Sequence, residues 1–412
     1  MTTVKVHQDN IQQRRSELVT RQGELILLLT YFSLLAGRFT LERVLDDSLL
    51  GVNIDPRWVA LAVILLLTLA WYAGLRRVQA TRNKMAGMAP FVMWGLWLII
   101  SAQWAPSEAE TAMAQVDIVF LLSFLILAWF VMSYLRDDAT ERIWLWVLTT
   151  GIIYFALALA SGPDLQGRFS APGGGPNTFV RIMVLSVIAA LYLVVVQARR
   201  WPLATLPIFM IGAVLSGSRG GVLSAILIFL VFLVPLVKML RVRLSLALGL
   251  VGVSSVYVAS VWQDGYVLTV ITERFVQQTL VEGHTAGRDV IVDQAWSMFS
   301  NNPIFGVGMG GFDVLESSSR DYGYAHNLVL ATLSEAGVIG GLLLAIALLN
   351  LFLICSQARL TGHTLFALMA GLFFLGTTMF SGDYYDSRFA WFFLAMAAIS
   401  SYRKRDVKAL PQ

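Results

Sequence analysis

Long apolar stretches separated by short polar ones run the whole length of the chain. Twelve of them predict membrane-spanning helices, over Glu24–Leu41, Arg57–Leu75, Met88–Ala105, Val116–Leu135, Ile143–Ser161, Thr178–Ala198, Leu203–Ser216, Gly220–Val237, Leu244–Trp262, Gly337–Gln357, Leu365–Phe380 and Phe389–Tyr402. The longer ones reach the roughly 17–25 residues that cross a bilayer as helix. Helical periodicity within them says little, because a helix facing lipid is apolar on most sides. The predicted class is an all-α polytopic membrane protein of about 12 transmembrane helices.

The polar segments carry the orientation. Twenty of the 30 basic residues fall in alternate segments, including Lys5, Arg14, Arg15 and Arg21, then Arg76, Arg77, Arg82 and Lys84, and finally Arg403, Lys404, Arg405 and Lys408. Arg136, Arg142, Arg199, Arg200, Lys238, Arg241, Arg243 and Arg359 complete the set without breaking the alternation. Basic loops stay in the cytoplasm, so both termini are expected there. The predicted organisation is a cytoplasmic tail over 1–23, helices one to nine over 24–262, a large outer loop over 263–325, helices ten to twelve over 326–402 and a second cytoplasmic tail over 403–412. In the outer loop, Val290, Ile291, Ala295, Met298 and Phe299 recur at helical spacing and predict an amphipathic surface helix over Gly287–Ser300, ended by Asn301-Asn302-Pro303. Gly306, Gly308, Gly310 and Gly311 follow. They do not sit in a strand–turn–helix unit, so a packing or flexible loop suits them better than a nucleotide loop.

Composition agrees and narrows the field. The chain is 57% hydrophobic and 14% charged, with mean hydropathy +0.70, where soluble domains carry about 25% charge. The net charge of +4 comes from the basic loops and implies no nucleic-acid partner. The single cysteine, Cys355, excludes an intrachain disulfide and disfavours a cysteine metal site. The polar first 24 residues lack the apolar core of a signal peptide and are expected to remain as a tail.

All five lysines fall on the cytoplasmic side, whereas the ten basic residues of the outer side are all arginine: Arg38, Arg43, Arg57, Arg168, Arg181, Arg219, Arg274, Arg288, Arg320 and Arg388. Arginine without lysine suggests planar, bidentate recognition of phosphate or carboxylate. Arg219 sits in Ser216-Gly217-Ser218-Arg219-Gly220-Gly221, a tight outer turn that fixes the depth of its guanidinium. The plainer alternative is an arginine snorkelling to the interface. Arg288 opens the surface helix, against the helix dipole, and a bound anion would resolve that conflict. Its alternative is an ion pair with Asp289 or Asp293. His326, in Tyr324-Ala325-His326-Asn327, stands where the long loop returns to the membrane. Glu335 lies in an apolar stretch and is expected to pair with an outer arginine. Two further outer loops carry candidates, Gln166–Arg181 with its glycines and arginines, and Ser381–Arg388 with tyrosines and acids suited to sugars or to an interfacial belt.

If the substrate is a lipid diphosphate in the outer leaflet, these residues suit cleavage at its sugar–diphosphate bond. The leaving diphosphate is a stable anion that needs charge stabilisation rather than a general acid, and arginine forks supply it. The attacking sugar hydroxyl needs a base, and an imidazole with pKa near 6.5 contributes roughly 10²–10⁴-fold. No outer cluster has metal-ligand spacing, so no metal and no cofactor are expected.

At Ser218-Arg219-Gly220, Gly287-Arg288, Asn302-Pro303 through Gly306-Val307-Gly308, and His326-Asn327 with Glu335-Ala336-Gly337, the chain resembles the bacterial O-antigen ligase and polymerase superfamily. The resemblance is good over about Leu215–Leu344 and elsewhere extends only to a run of helices. It implies a GT-C-like glycosyltransferase of the inner membrane, with its site facing the periplasm, that moves a glycan from undecaprenyl diphosphate to lipid A–core oligosaccharide in lipopolysaccharide biosynthesis. By the same resemblance, Arg219 and Arg288 bind the diphosphate and His326 activates the acceptor hydroxyl, with inversion and without metal. Arg181, Asn327 and Asp386 are further substrate-binding candidates. The implied partners are the lipid-linked glycan, the lipid A–core acceptor and membrane lipids. O-antigen polymerases and protein O-oligosaccharyltransferases share these features; the short segment after the last helix favours a ligase or polymerase over the latter. A lipid-linked glycan transporter is the alternative of another class. It would place charges near the bilayer midplane, whereas here they gather at one interface.

Overall fold

The computed structural model describes residues 2–37, 55–75, 85–135, 137–171, 174–240, 249–250, 252–254, 257, 261, 265–281, 287–315, 324–356, 360 and 362–409. Arg38, Arg43, Arg76, Arg77, Arg82, Lys84, Arg136, Arg241, Arg243, Arg320, Arg359 and most of the expected span Leu244–Trp262 lie outside the described residues.

The described chain is helical, with no strand among the described residues and one isolated bridge between Pro163 and Phe169. In order, the helices that matter are α1 (Thr2–Ala36), α2 (Pro56–Gly74), α3 (Ala89–Ser101), α4 (Thr111–Tyr134), α5 (Ile143–Ser161), α6 (Pro176–Val195), α7 (Leu206–Leu215) and α8 (Arg219–Val231). They continue as α9 (Leu233–Met239), α10 (Tyr266–Val270), α11 (Arg288–Asn301), α12 (Gly311–Leu315), α13 (Leu328–Ser356), α14 (His363–Thr377) and α15 (Arg388–Ala409). Five helices are long and apolar enough to cross a membrane: Pro56–Gly74, Thr111–Tyr134, Ala139–Ser161, Pro176–Val195 and Leu328–Ser356. The pair α8 and α9, bent by 59° at the break between them, adds a sixth if it is one span, and α3, α7 and α14 belong to shorter apolar helices. The protein is an all-helical polytopic membrane protein.

The core is the hairpin of α14 and α15, with α15 packed on α4 and α13, and α14 on α6 and α8. In α15 the run Phe389–Ser401 is buried throughout. Helix α13 packs on α3 and on the surface helix α11.

Helix α1 is one helix from Thr2 to Ala36. Two expectations are revised. The surface helix runs Arg288–Asn301, one residue later than predicted at each end, with Gly287 as its N-cap at φ +79°. The expected span Gly337–Gln357 begins nine residues early, at Leu328, because Asn327 caps it: its Oδ1 accepts from Val329 N at 3.0 Å and Leu330 N at 3.1 Å.

Helix α13 then breaks at Gly337, whose φ of 65° and ψ of −166° are open in practice only to glycine. The glycine-rich loop after α11 is sewn into that break. Val307 N donates to Ser334 O at 2.8 Å, Gly308 N to Glu335 O at 2.9 Å, and Val338 N to Pro303 O at 2.8 Å. A Cβ on Gly306 would collide with the Glu335 backbone, one on Gly308 with the Ala105 backbone, and one on Gly337 with the Ile304 carbonyl. The glycine run is therefore a close-packing device, since only glycine lets backbone approach backbone this nearly.

Gly337→Ala is expected to lower the melting temperature of the detergent-purified protein by several degrees, because both the backbone conformation and the space are denied to it. Gly74→Ala, at a position with nothing within 4 Å of the added carbon, is expected to leave it unchanged.

Candidate functional site

Among the described residues, the arginines expected on the outer side divide into two groups. Arg57 and Arg388 serve the scaffold. Arg57 is held by Asp55 and Asp117, each at 2.6 Å, and lies 4.5 Å from the Phe120 ring and 5.1 Å from the Tyr385 ring. Arg388 donates to the Leu34 carbonyl at 2.6 Å and the Tyr385 carbonyl at 3.1 Å, and pairs with Asp386 at 3.0 Å. Buried charges that are paired and hydrogen-bonded in this way fix geometry. They tie the last outer loop to α1, α2 and α4.

In the second group, Arg181 and Arg288 line a cleft, and Arg168, Arg219 and Arg274 are coupled to Arg288 or to one another by their charges. Asn177, Val180 and Arg181 at the start of α6, Ser218, Gly220 and Gly221 at the start of α8, Arg288 at the start of α11, and Thr377, Phe380 and Ser381 after α14 line the cleft. Its cavity volume is about 10 Å³, enough for one water. Arg181 is buried and donates to the Ser381 carbonyl at 2.5 Å and the Thr377 carbonyl at 3.5 Å. Ser218 Oγ donates to Asn177 Oδ1 at 2.7 Å, and Asn177 Nδ2 donates to Ser381 Oγ at 3.0 Å. Asn177 thus ties the Arg219 turn to the last outer loop. In the sequence its only signal was a place directly after Pro176 at a helix start.

Arg219 is the first residue of α8 and is half-buried. Arg288 is the first residue of α11, and among the described residues it makes no ion pair with Asp289 or Asp293. Burial, and then the Arg219 guanidinium beside it, pull Arg288 below the usual arginine range. Arg168 is lowered in the same way, by burial first and also by Arg274, Arg288 and Arg219. It lies over Gly217, with its Nε donating to Ser216 O at 3.2 Å, while Arg274 donates to Gln166 O at 2.7 Å. Like charges crowded and partly desolvated around one cleft form a site that favours an anion.

His326 is half-buried, with its backbone at φ +51° and its ring against Tyr324. Its neighbour Asn327 is occupied: besides capping α13, its Nδ2 donates to the Met379 carbonyl at 3.2 Å. Asp386 is likewise engaged, with Arg388. The expected arginine partner of Glu335 is a correction. Glu335 is buried, and its oxygens accept from the Tyr384 hydroxyl at 2.9 Å and from Phe312 N at 3.3 Å. At a broken helix, backbone N–H groups and a phenol are nearer than any guanidinium. Burial, and then the Glu335 carboxylate, push the Tyr384 phenol well above its usual range.

Further along the same two helices, and closed by Leu206 and Met210 of α7 and Leu233 of α9, lies an apolar groove with a cavity volume of about 520 Å³. Val184, Val187 and Leu191 of α6 face Val222, Ala225, Ile226 and Phe229 of α8 across it. Among the described residues no group of three or more His, Cys, Asp and Glu could hold a metal ion.

Comparison with known proteins gives one family. Residues 204–345 match the family model of O-antigen ligase, a span that includes the Arg219 turn, α11, the glycine loop, His326 and the break in α13. No curated protein matches the chain.

Arg288→Gln is expected to leave the melting temperature unchanged or raise it by a few degrees, since it removes a half-desolvated charge from beside Arg219. Pyrophosphate should raise the melting temperature of the wild type and have little effect on the variant. A marked loss of stability in the variant would make Arg288 a scaffold residue.

Proposed function

We propose that this chain, which carries the O-antigen ligase domain, is a glycosyltransferase that moves a glycan from undecaprenyl diphosphate to lipid A–core oligosaccharide at the periplasmic face of the inner membrane. The observation that carries the reading is continuity. Arg181 and Gly221 line the polar cleft, and Val184 and Val222, one turn or less along the same helices, begin the apolar groove. A polyprenyl diphosphate has the same order of chemistry, an apolar chain lying in the membrane and a dianionic head at its surface. The reading of the chain as about twelve spans with a large loop over 263–325 supports a site at the outer interface.

In this reading Arg219 and Arg288 grip the diphosphate, and Arg181 adds charge from below. His326 takes the proton of the acceptor hydroxyl as its oxygen attacks the anomeric carbon. The bond from that carbon to the diphosphate oxygen breaks, and undecaprenyl diphosphate leaves with the electron pair. The configuration inverts, and no metal takes part. Arginine forks stabilise the charge that grows on the leaving phosphates, and loss of one such donor typically lowers the rate on the order of 100-fold. Asn327 and Asp386, engaged with backbone and with Arg388, act by shaping the site rather than by direct contact with sugar.

The test is transfer by purified protein, with EDTA present, from undecaprenyl-diphosphate glycan to lipid A–core, read on a gel. The expected product is a glycan ladder on lipid A–core, absent with His326→Ala and reduced on the order of 100-fold with Arg219→Lys or Arg288→Lys, which keep the charge but lose the fork. Glycan lengthened on its own lipid carrier would make the protein a polymerase. Glycan moved unchanged to the other leaflet, with no bond formed, would make it a transporter.

A further inference from the structure

Tyr324 lies two residues before His326. The two rings meet with centroids 4.1 Å apart and planes at 47°. In an extended chain, residues two apart are separated by roughly 6.6 Å, so the contact depends on a turn. The turn is the left-handed backbone of His326, φ +51°, one of two positive-φ non-glycine residues among the described residues. A non-glycine residue in that region carries strain and persists only where its surroundings hold it. Here the holding groups are on the page: Ala325 is buried, and Asn327 both caps α13 and bonds to Met379. The strained turn therefore serves to bring the phenol and the imidazole together.

Tyr324 is also among the groups that act electrostatically on both Arg181 and Arg288, two residues that line the cleft. One side chain thus touches the histidine and lies within electrostatic reach of the arginines. A tyrosine can do both because its body is an apolar plate and its tip a hydrogen-bond donor.

We propose that Tyr324 is a positioning and binding residue of this site: its ring fixes the orientation of the His326 imidazole, and its hydroxyl donates to a phosphoryl oxygen held by Arg181 and Arg288. The proposal rests on the donor reading given above. It divides the side chain into two separable functions, a plate for the base and a donor for the diphosphate.

Two variants separate them. Tyr324→Phe keeps the plate and is expected to raise KM for the undecaprenyl-diphosphate glycan about tenfold while kcat stays within about threefold; a hydrogen bond to a charged group is worth about this much. Tyr324→Leu removes the plate and is expected to lower kcat on the order of 100-fold, as loss of orientation does. It should also move the acid limb of the kcat–pH profile, which Tyr324→Phe leaves in place. Equilibrium binding of glycan-free undecaprenyl diphosphate, which requires no transfer, should weaken about tenfold in Tyr324→Phe. Wild-type values of KM, kcat and affinity in both variants would overturn the proposal. So would a Tyr324→Leu protein that melts lower and turns over slower with its pH profile unmoved, because that is a structural residue. A wild type that binds undecaprenyl diphosphate but forms no product sinks the transfer reading by itself; unchanged affinity in Tyr324→Phe would then sink the hydroxyl's role separately.

Discussion

The site depends on one piece of close backbone packing. The loop 302–312 docks edge-on into the break of α13, through Val307 N to Ser334 O, Gly308 N to Glu335 O and Val338 N to Pro303 O. This seam adds to the direct packing of α11 on α13. Arg288 opens α11, and His326 lies two residues before α13 begins. The seam therefore joins the helix that carries Arg288 to the helix that follows His326. It works only because Gly306, Gly308 and Gly337 lack a Cβ, and because the buried Glu335 carboxylate beside the break is satisfied by Phe312 N and the Tyr384 hydroxyl.

The arginines show how one residue type serves two ends. Where acids accompany it, as with Asp55 and Asp117 around Arg57, arginine braces the scaffold. Where arginine stands beside arginine, as Arg288 beside Arg219, the electrostatics work against folding and in favour of an anion. The last outer loop joins the two groups. Its Tyr385–Arg388 end is tied to α1, α2 and α4, and its Ser381 end accepts from Arg181 and Asn177.

Much of this was legible in the sequence. Apolar run length is a direct consequence of bilayer thickness, so the helices α2, α4, α5 and α6 fall where the runs predict. The Arg219 turn, the start of α11 and His326 were marked by glycine framing, by a charge opposed to the helix dipole and by a lone titratable group at an interface. What escaped was tertiary. The partner of Glu335 is a tyrosine 49 residues away in the chain, and no local pattern distinguishes that from an arginine partner. The beginning of α13 was missed because the pattern before Gly337 is less uniformly apolar, while the capping that starts the helix at Leu328 comes from one asparagine. Asn177 and Tyr324 carry no charge, and their roles arise from what the fold brings beside them.

The central claim is that the arginine cleft and the apolar groove further along α6 and α8 are one site for one lipid diphosphate. Photo-crosslinking tests it most directly, with undecaprenyl diphosphate carrying a diazirine in its first isoprene units, the protein in lipid nanodiscs, and the labelled peptides mapped by mass spectrometry. The account predicts label on α6 and α8, centred on Val184, Val187, Val222 and Ala225, and its suppression by unlabelled undecaprenyl diphosphate and by Arg288→Gln. Label concentrated on helices other than α6 to α9, or label on α6 and α8 that is indifferent to both, would contradict it.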